Sequence, residues 1–395
     1  MLRRNERNLD NIPAGTLGII AIDGCQEMGK EVDHFITTWR REDGHKFMDD
    51  VVFSGYQRDS YLVNAHVPRF GSGEAKGVID DSVRGMDLYI MVDVCNYSLT
   101  YSMSGNTNHM SPDDHYQNLK RIIAAVGGKA KRINVIMPFL YESRQHKRSS
   151  RESLDCALAL QELTHMGVDN IITFDAHDPR VQNAIPLSGF ETVRPTYQFV
   201  KGLLDRYDDL IIDSDHMMAI SPDEGATERA VYLANVLNLD MGMFYKRRDY
   251  TRVVNGRNPI VAHEFLGSSV EGKDVVILDD MISSGDSILD VAKQLKSRKA
   301  KRIFAAATFG LFTNGLDKFD EAYESGLIDG VLTTNLIYQT PELLSRPYYI
   351  NCDMSKYVAL MIDTLNHDGS ISDILDPSER IQVYVEEYKK AHGQL

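Results

Sequence analysis

Two kinds of hydrophobic pattern alternate along the chain. Short continuous apolar runs predict buried strands, and segments with apolar residues three to four positions apart predict helices. The predicted strands are Gly18–Ile22, Leu88–Val94, Ile133–Met137, Ile171–Phe174, Val275–Leu278 and Ile303–Thr308. The predicted helices are Tyr116–Val126, Ser153–Met166 (with Ser153 as N-cap), Ala226–Leu237 and Ser287–Leu295. This alternation predicts an α/β fold, and continuous apolar strands fit parallel sheets that are covered on both faces.

Four stretches depart from these patterns. Residues Asn96–Asp114 are polar and have no period, which predicts a long loop. Pro186–Pro195 has two prolines and no helical period, and it is the best candidate for a domain boundary. The tail Pro377–Leu395 predicts an amphipathic helix, to which we assign no function. Gly267–Lys273 (GSSVEGK) fits the first seven places of a P-loop, but it precedes a strand, so we predict a surface turn.

Length, charge and cysteine content narrow the class of protein. The 395 residues predict two domains, because one domain commonly holds roughly 100–200 residues. A net charge of −14 argues against a general nucleic-acid or membrane-surface binder, since both require a basic face. Four scattered cysteines favour reduced thiols over a zinc or disulfide framework. The basic N-terminus lacks the apolar core of a signal peptide, so we expect a cytoplasmic protein.

The stretch VVILDDMISSGDSILDV (Val275–Val291) predicts a strand, a small-polar loop and a helix. Such loops bind ligands at the carboxyl ends of strands, and helix N-termini favour phosphate. The candidate phosphate ligands are Ser283, Ser284, Gly285, Asp286 and Ser287. Asp279 and Asp280 would repel phosphate but suit hydroxyl groups or Mg²⁺. From these residues alone, a sugar-phosphate site and an ordinary serine-capped turn are equally good interpretations.

The loop resembles the ribose-5-phosphate loop of type I phosphoribosyltransferases and ribose-phosphate pyrophosphokinases. That resemblance implies that Asp279 and Asp280 contact the ribose hydroxyls and that the loop holds the 5-phosphate. The match has two departures, because Ser283 stands where the family usually has aspartate and Asp286 stands where it has glycine.

Segments of the N-terminal half resemble the pyrophosphokinases specifically. RFGSGEAKGVIDDSVRGMD, which begins at Arg69, resembles their adenine-binding segment, with Ser72 in place of an aspartate. MPFLYESRQHKRSSRES, which begins at Met137, resembles their Arg-Gln-Asp segment, with His146 in place of the aspartate. The ATP-binding residues that this resemblance implies are Phe70, Glu74, Arg144, Gln145 and His177.

Three further segments carry the expected metal and catalytic residues. TFDAHDPRVQNAI and SPDEGATERA resemble family segments near Mg²⁺, which implies Asp175, His177 and Asp223 as metal ligands. YKRRDYTR resembles the mobile catalytic loop, which implies catalytic roles for Lys246 and Arg248. The chain is thus identified as a divergent, longer relative of the ribose-phosphate pyrophosphokinases.

The resemblance implies two tandem domains of type I phosphoribosyltransferase-like fold, each with a mainly parallel sheet flanked by helices. We expect an ATP-side domain over 1–190, a ribose-5-phosphate domain over 191–352, and a C-terminal helix plus tail over 353–395. The implied reaction transfers the pyrophosphoryl group of Mg·ATP to ribose 5-phosphate. A dimer-based homo-oligomer, up to a hexamer, is also implied. A non-catalytic regulatory homologue and a phosphoribosyltransferase remain as alternatives.

Overall fold

The computed structural model describes residues 12–43, 55–248 and 260–394. The strands of these ranges are β1 (Thr16–Ala21), β2 (Ala65–His66), β3 (Val78–Ile79), β4 (Met86–Met91), β5 (Thr100–Met103), β6 (Asn106–His109), β7 (Arg132–Ile136), β8 (Asn170–Phe174), β9 (Gly189–Val193), β10 (Met217–Ser221), β11 (Asp240–Arg248), β12 (Ile260–Leu266), β13 (Asp274–Ile282), β14 (Ile303–Gly310), β15 (Gly330–Thr334) and β16 (Tyr349–Cys352).

The helices of the same ranges are α1 (Gln26–Asp43), α2 (Pro112–Val126), α3 (Asp155–His165), α4 (Thr196–Arg206), α5 (Thr227–Leu237), α6 (Asp286–Ser297), α7 (Asp317–Glu324), α8 (Pro341–Leu344), α9 (Ser355–Asn366), α10 (Ser372–Leu375) and α11 (Ser378–Ala391). In this part of the chain, no helix combines the length and apolarity needed to cross a bilayer.

The chain divides into two compact units. The first comprises the chain up to Arg194 together with Asn335–Tyr338 and Asp353–Asp376. The second comprises Pro195–Thr334, Gln339–Cys352 and Pro377–Leu395. The first unit contains a five-stranded parallel sheet, ordered β1-β4-β7-β8-β9. The second contains a seven-stranded sheet, ordered β12-β11-β10-β13-β14-β15-β16, which is parallel except for the β11–β12 pair.

The predicted α/β fold with two mainly parallel sheets is therefore confirmed. All six apolar runs overlap strands, and the buried residues of β4 and β14 explain their unbroken hydrophobic character. The predicted tail helix is present as α11, which buries Ile381, Val385 and Tyr388 against the core of the second unit. The P-loop-like stretch forms bends and a turn before β13, as predicted.

Two local predictions were wrong. The stretch predicted as a loop over Asn96–Asp114 contains the antiparallel hairpin β5–β6 and the start of α2. Both hairpin strands are mostly exposed, so polar residues occupy both faces and no apolar alternation marks them. Ser153 does not cap α3, which begins at Asp155 after an N-cap residue Leu154 that makes no side-chain cap. The Ser153 hydroxyl instead donates to the Asp155 carboxylate.

Each unit contains an equivalent aspartate–arginine ion pair that links two of its central strands. In the first unit, Asp87 at the start of β4 accepts two hydrogen bonds of 2.7 Å from Arg132 at the start of β7. In the second, Asp274 at the start of β13 accepts bonds of 2.9 and 2.7 Å from Arg302, just before β14. Each pair fixes the register of neighbouring strands at their amino ends.

Helix α9 is held to the first unit by an extension of this network. Asn366 donates to Asp87 at 2.9 Å and accepts a bond of 2.7 Å from Arg40 of α1. Arg40 also pairs with Asp363 at 2.8 Å, and both side chains are almost completely buried. Buried charges are tolerated when they are paired and hydrogen-bonded, as they are here.

A second buried carboxylate, Asp93, lies just beyond the carboxyl end of β4. Its oxygens accept bonds from the backbone N–H groups of Cys95 (2.8 Å) and Tyr338 (2.7 Å). Burial raises the pKa of Asp93 to about 7, although these two backbone donors oppose the rise. Asp93 therefore ties the Asn335–Tyr338 segment to the first sheet and titrates near neutral pH.

We predict that Asp87→Asn destabilises the first unit by about 1.5–3 kcal/mol, because Arg132 loses its buried counter-charge and keeps only the exposed carboxylate of Asp368. Trp39 of α1 is the one tryptophan of the chain, so its fluorescence during urea unfolding reports on this unit. The control is Glu27→Gln, which removes an exposed pair with Lys30 and is expected to cost no more than about 1 kcal/mol. Equal effects of the two substitutions would contradict the assignment.

The pKa of Asp93 predicts a pH-dependent stability. Because the folded pKa is raised to about 7, the folded state keeps a proton that the unfolded chain releases at about pH 4. The free energy of unfolding contributed by Asp93 therefore falls as pH rises from about 4 to about 7. Asp93→Asn removes this dependence, so its stability relative to the parent chain should increase across that window, on the order of a few kcal/mol. Parallel stability curves for the two proteins would refute this.

Candidate functional site

The loop between β13 and α6 makes a left-handed turn immediately before a helix N-terminus. Gly285 adopts a left-handed conformation (φ 84°) and precedes the first helical residue, Asp286. Ser283 and Ser284 are half-buried, whereas Asp286 and Ser287 are exposed at the helix N-terminus. The first backbone N–H groups of a helix have no partners within it, and they can donate to an anion in this position.

Packing beneath the loop requires glycine at position 285. A Cβ atom there would lie 2.4 Å from the ring of Phe319, which is fully buried. The loop is also fixed through Ser283, whose carbonyl accepts a bond of 2.9 Å from the backbone N–H of Thr313. The segment after β14 therefore supports the loop from a distance of about thirty residues along the chain.

Three carboxylates gather at the carboxyl edge of the second sheet. Asp279 and Asp280 lie in the last four residues of β13, and Asp223 follows the adjacent parallel strand β10. Burial raises the pKa of Asp279 well above its usual range, and the negative charges of Asp280 and then Asp223 raise it further. The Asp223 carboxylate itself accepts the Gly225 N–H at 2.9 Å, which holds it in the turn before α5.

These carboxylates fit either hydroxyl donors or a divalent cation. Both would stabilise the ionised form of Asp279, whose pKa is raised first by burial and then by the charge of Asp280. Within the described ranges, no cluster of three or more His, Cys, Asp or Glu residues has the geometry to hold a metal ion. Mg²⁺ commonly uses only one or two carboxylates together with water and substrate phosphates, so the residues present fit that kind of site.

Lys246 and Arg248 are located by their backbone. They lie in the last three residues of β11, which pairs with β10 up to the Ser221–Met243 register. Beyond that register, β11 runs past the end of β10 and pairs only with β12. The backbone of both residues thus extends from the carboxyl edge that also carries Asp223, while their side chains and residues 249–259 lie outside the described part of the chain.

The first unit collects a second group of predicted residues after β7 and β8. Arg144 and Gln145 lie in the loop after β7, and the Gln145 amide donates to the Ser153 carbonyl at 2.8 Å. His177 follows β8 and is exposed, and its ring centroid lies 5.3 Å from that of His146. Asp175 is buried and has a left-handed backbone (φ 40°).

His146, a departure from the family pattern, connects these two loops. Its Nε2 atom lies 3.5 Å from the Asp178 carboxylate, which also accepts bonds from Arg180. Burial lowers the pKa of His146, although the charge of Asp178 opposes this effect. Sequence reasoning treated His146 as a substitution and missed this link, because no local pattern connects residues 32 positions apart.

Phe70 and Glu74 lie on a different element, the turn that ends in the Arg69–Ala75 bridge. The Phe70 side chain is 54% exposed, and Ser72 donates to the Glu74 carboxylate at 2.9 Å. The hairpin β5–β6 braces this turn, since the Ser104 N–H donates to the Gly71 carbonyl at 3.0 Å. The exposed ring is available for stacking against a flat ligand.

Arg69 anchors the same turn to the hairpin. Its guanidinium carbon lies 3.9 Å from the centre of the Tyr101 ring, and its Nη2 pairs with Asp114 of α2 at 3.1 Å. The hairpin β5–β6, which the sequence pattern did not predict, therefore supports the turn that contains Phe70.

Both units match known protein families. Residues 17–167 match the N-terminal domain of ribose phosphate pyrophosphokinase, and residues 194–332 match the phosphoribosyl transferase domain. A ribose-phosphate pyrophosphokinase of Mycoplasma genitalium is 31% identical over 272 residues, which cover 68% of this chain and 74% of that protein. One from Vibrio parahaemolyticus is 29% identical over 315 residues, which cover 79% and 90%.

A solved structure shares the fold. The phosphoribosylpyrophosphate synthetase of Mycobacterium smegmatis matches with a TM-score of 0.69 and 22% identity. The match covers 90% of this chain and all of that one.

We predict that Gly285→Ala destabilises the protein more than Gly272→Ala does. Both glycines have left-handed φ angles (84° and 75°), so both variants incur a backbone cost of about 1 kcal/mol. Only at position 285 does the new methyl group meet a ring, whereas nothing lies within 4 Å at position 272. The ring contact should add about 1–3 kcal/mol, measurable by urea unfolding followed with circular dichroism. Equal losses of stability in the two variants would show that the Phe319 ring can move away from the new methyl group without an energetic penalty.

Proposed function

The chain belongs to the ribose-phosphate pyrophosphokinase family of enzymes, and from that premise we propose its reaction. The 1-hydroxyl of ribose 5-phosphate attacks the β-phosphorus of Mg·ATP. The products are phosphoribosyl pyrophosphate and AMP.

One observation supports this proposal: the loop Ser283–Ser287, which has a left-handed glycine at a helix N-terminus, begins three residues after a pair of carboxylates at the carboxyl edge of the second sheet. Backbone N–H groups of Ser284–Ser287 would donate to the 5-phosphate at the start of α6. Asp279 and Asp280 would accept hydrogen bonds from two adjacent ribose hydroxyls. A ligand that satisfies both groups carries a phosphate and neighbouring hydroxyls, as ribose 5-phosphate does.

Transfer of a pyrophosphoryl group depends on positioning and on neutralising developing charge. We assign the positive charge to Lys246 and Arg248, whose backbone extends from the same sheet edge as Asp223. When bound, Mg²⁺ supplies the positive charge that offsets the triphosphate. Asp223, Asp175 and His177 are the residues we assign to holding it.

The nucleotide would bind through residues of the first unit. The loop after β7 contains four cations, which suit a triphosphate in an otherwise acidic chain; they are Arg144, Lys147, Arg148 and Arg151. Gln145 and His177 lie in neighbouring loops of that edge. The exposed Phe70 ring and Glu74 are assigned to adenine. We also propose a homo-oligomer, which a monomeric mass by light scattering would contradict.

The proposal is tested by incubating the purified protein with ribose 5-phosphate, ATP and Mg²⁺ and measuring AMP and phosphoribosyl pyrophosphate. We expect both products in equal amounts. ATP binding without product would instead indicate a non-catalytic regulatory homologue. Release of pyrophosphate from phosphoribosyl pyrophosphate and a nucleobase would indicate a phosphoribosyltransferase.

Lys246→Ala should lower kcat by on the order of 100–1,000-fold, because it removes a cation that acts on charge developing in the transition state. KM for both substrates should change little, since ground-state binding relies on other residues. Arg247→Ala, which removes the neighbouring cation of the same strand, is the matched control. An unchanged kcat for Lys246→Ala would exclude a catalytic role for this lysine.

A further inference from the structure

Two consecutive residues at the start of α7 contact the Ser283–Ser287 loop, which we call the phosphate loop. Phe319 packs against Gly285, and the preceding residue, Lys318, places its ammonium nitrogen 2.5 Å from the Asp286 carboxylate. The backbone N–H of Thr313, just before the helix, donates to the Ser283 carbonyl. One short segment therefore supports three of the five loop residues.

Without Lys318, an aspartate at position 286 would be unfavourable for phosphate binding. Its carboxylate lies at the first residue of α6 and accepts a bond of 3.0 Å from the Ser284 hydroxyl. A negative charge there would repel a phosphate and would compete with it for the helix N-terminus. The pairing with Lys318 removes that conflict, because it brings a positive charge to the loop together with the negative one.

The ammonium group of Lys318 has N–H donors that remain available for a ligand. An ammonium group has three N–H donors, and Asp286 is its one hydrogen-bond partner among the described residues. About half of each side chain is exposed, so the pair is accessible to solvent beside the loop. The hydrogen bond between them raises the pKa of Lys318 and lowers that of Asp286, so both groups stay charged near neutral pH.

We propose that Lys318 is a phosphate-binding residue of the Ser283–Ser287 loop and that Asp286 positions it. The pair makes the site selective for phosphorylated over unphosphorylated sugars. This inference rests on the proposed function, because it assigns the 5-phosphate of ribose 5-phosphate to this loop. The opposing interpretation is an ordinary exposed ion pair, which would contribute little to stability or binding.

The test compares Lys318→Ala and Lys318→Arg by calorimetric binding of ribose 5-phosphate and by steady-state kinetics. Lys318→Ala should weaken ribose 5-phosphate binding about tenfold, because a charge-assisted hydrogen bond is lost. The KM for ATP and kcat should stay within about twofold, since the lysine does not touch the transferred group. Lys318→Arg should restore most of the affinity.

A double variant tests whether the charge of Asp286 opposes phosphate binding when Lys318 is absent. In the Lys318→Ala background, Asp286 is an uncompensated negative charge beside the phosphate. Adding Asp286→Asn should therefore recover part of the lost affinity, although no cation is restored. The matched control is Lys293→Ala, which removes an exposed lysine paired with Asp290 on the same helix and should leave binding unchanged.

The outcomes distinguish the role of Lys318 from the proposed function. If Lys318→Ala binds ribose 5-phosphate as tightly as Lys293→Ala, the role of Lys318 is wrong. An equal loss of ATP and ribose 5-phosphate binding would indicate a structural role and would also overturn it. Binding of ribose 5-phosphate without turnover by the parent protein contradicts the proposed function but still tests Lys318. Failure of the parent protein to bind ribose 5-phosphate overturns both.

Discussion

The ion pair between an aspartate at the start of one central strand and an arginine at the start of the next organises both units. Asp87–Arg132 and Asp274–Arg302 are both bidentate, and each aspartate is almost completely buried. A second aspartate reinforces each pair: Asp169 accepts from the backbone of Ile133, and Asp329 accepts from the backbone of Ile303. Burial makes a lost partner costly, so the register of the central strands is fixed at their amino ends.

Because the amino ends of the central strands are fixed, the loops that meet at the carboxyl edge of each sheet are fixed as well. In parallel strands a shared register aligns all the carboxyl ends, and the loops that follow become neighbours. The two units use equivalent positions differently. Asp93 and Asp280 each lie six residues after the aspartate of the ion pair, and both are buried. Asp93 accepts hydrogen bonds from two backbone N–H groups and holds a segment of its own unit, whereas Asp280 lies beside Asp279, just before the Ser283–Ser287 loop.

The Ser283–Ser287 loop illustrates how a departure from a family pattern is accommodated. Asp286 lies at the start of a helix, where the sequence resemblance implies glycine and where we propose that a phosphate binds. The structure supplies the compensating charge from the next helix along the chain, while the adjacent phenylalanine supports the left-handed glycine. The charge and the packing both come from α7, so the loop and that helix act as one element.

The sequence alone determined the features that depend on local pattern. Apolar runs predicted the six strands because burial on both faces excludes polar residues, and the order of the motifs identified the family. It did not reveal the hairpin β5–β6, whose exposed strands carry no apolar period. Nor did it predict the His146–Asp178 contact, the Lys318–Asp286 pair or the attachment of α9 to Arg40. These contacts join residues 32 to 326 positions apart. They depend on strand ends and helices being brought together, so only the tertiary structure decided them.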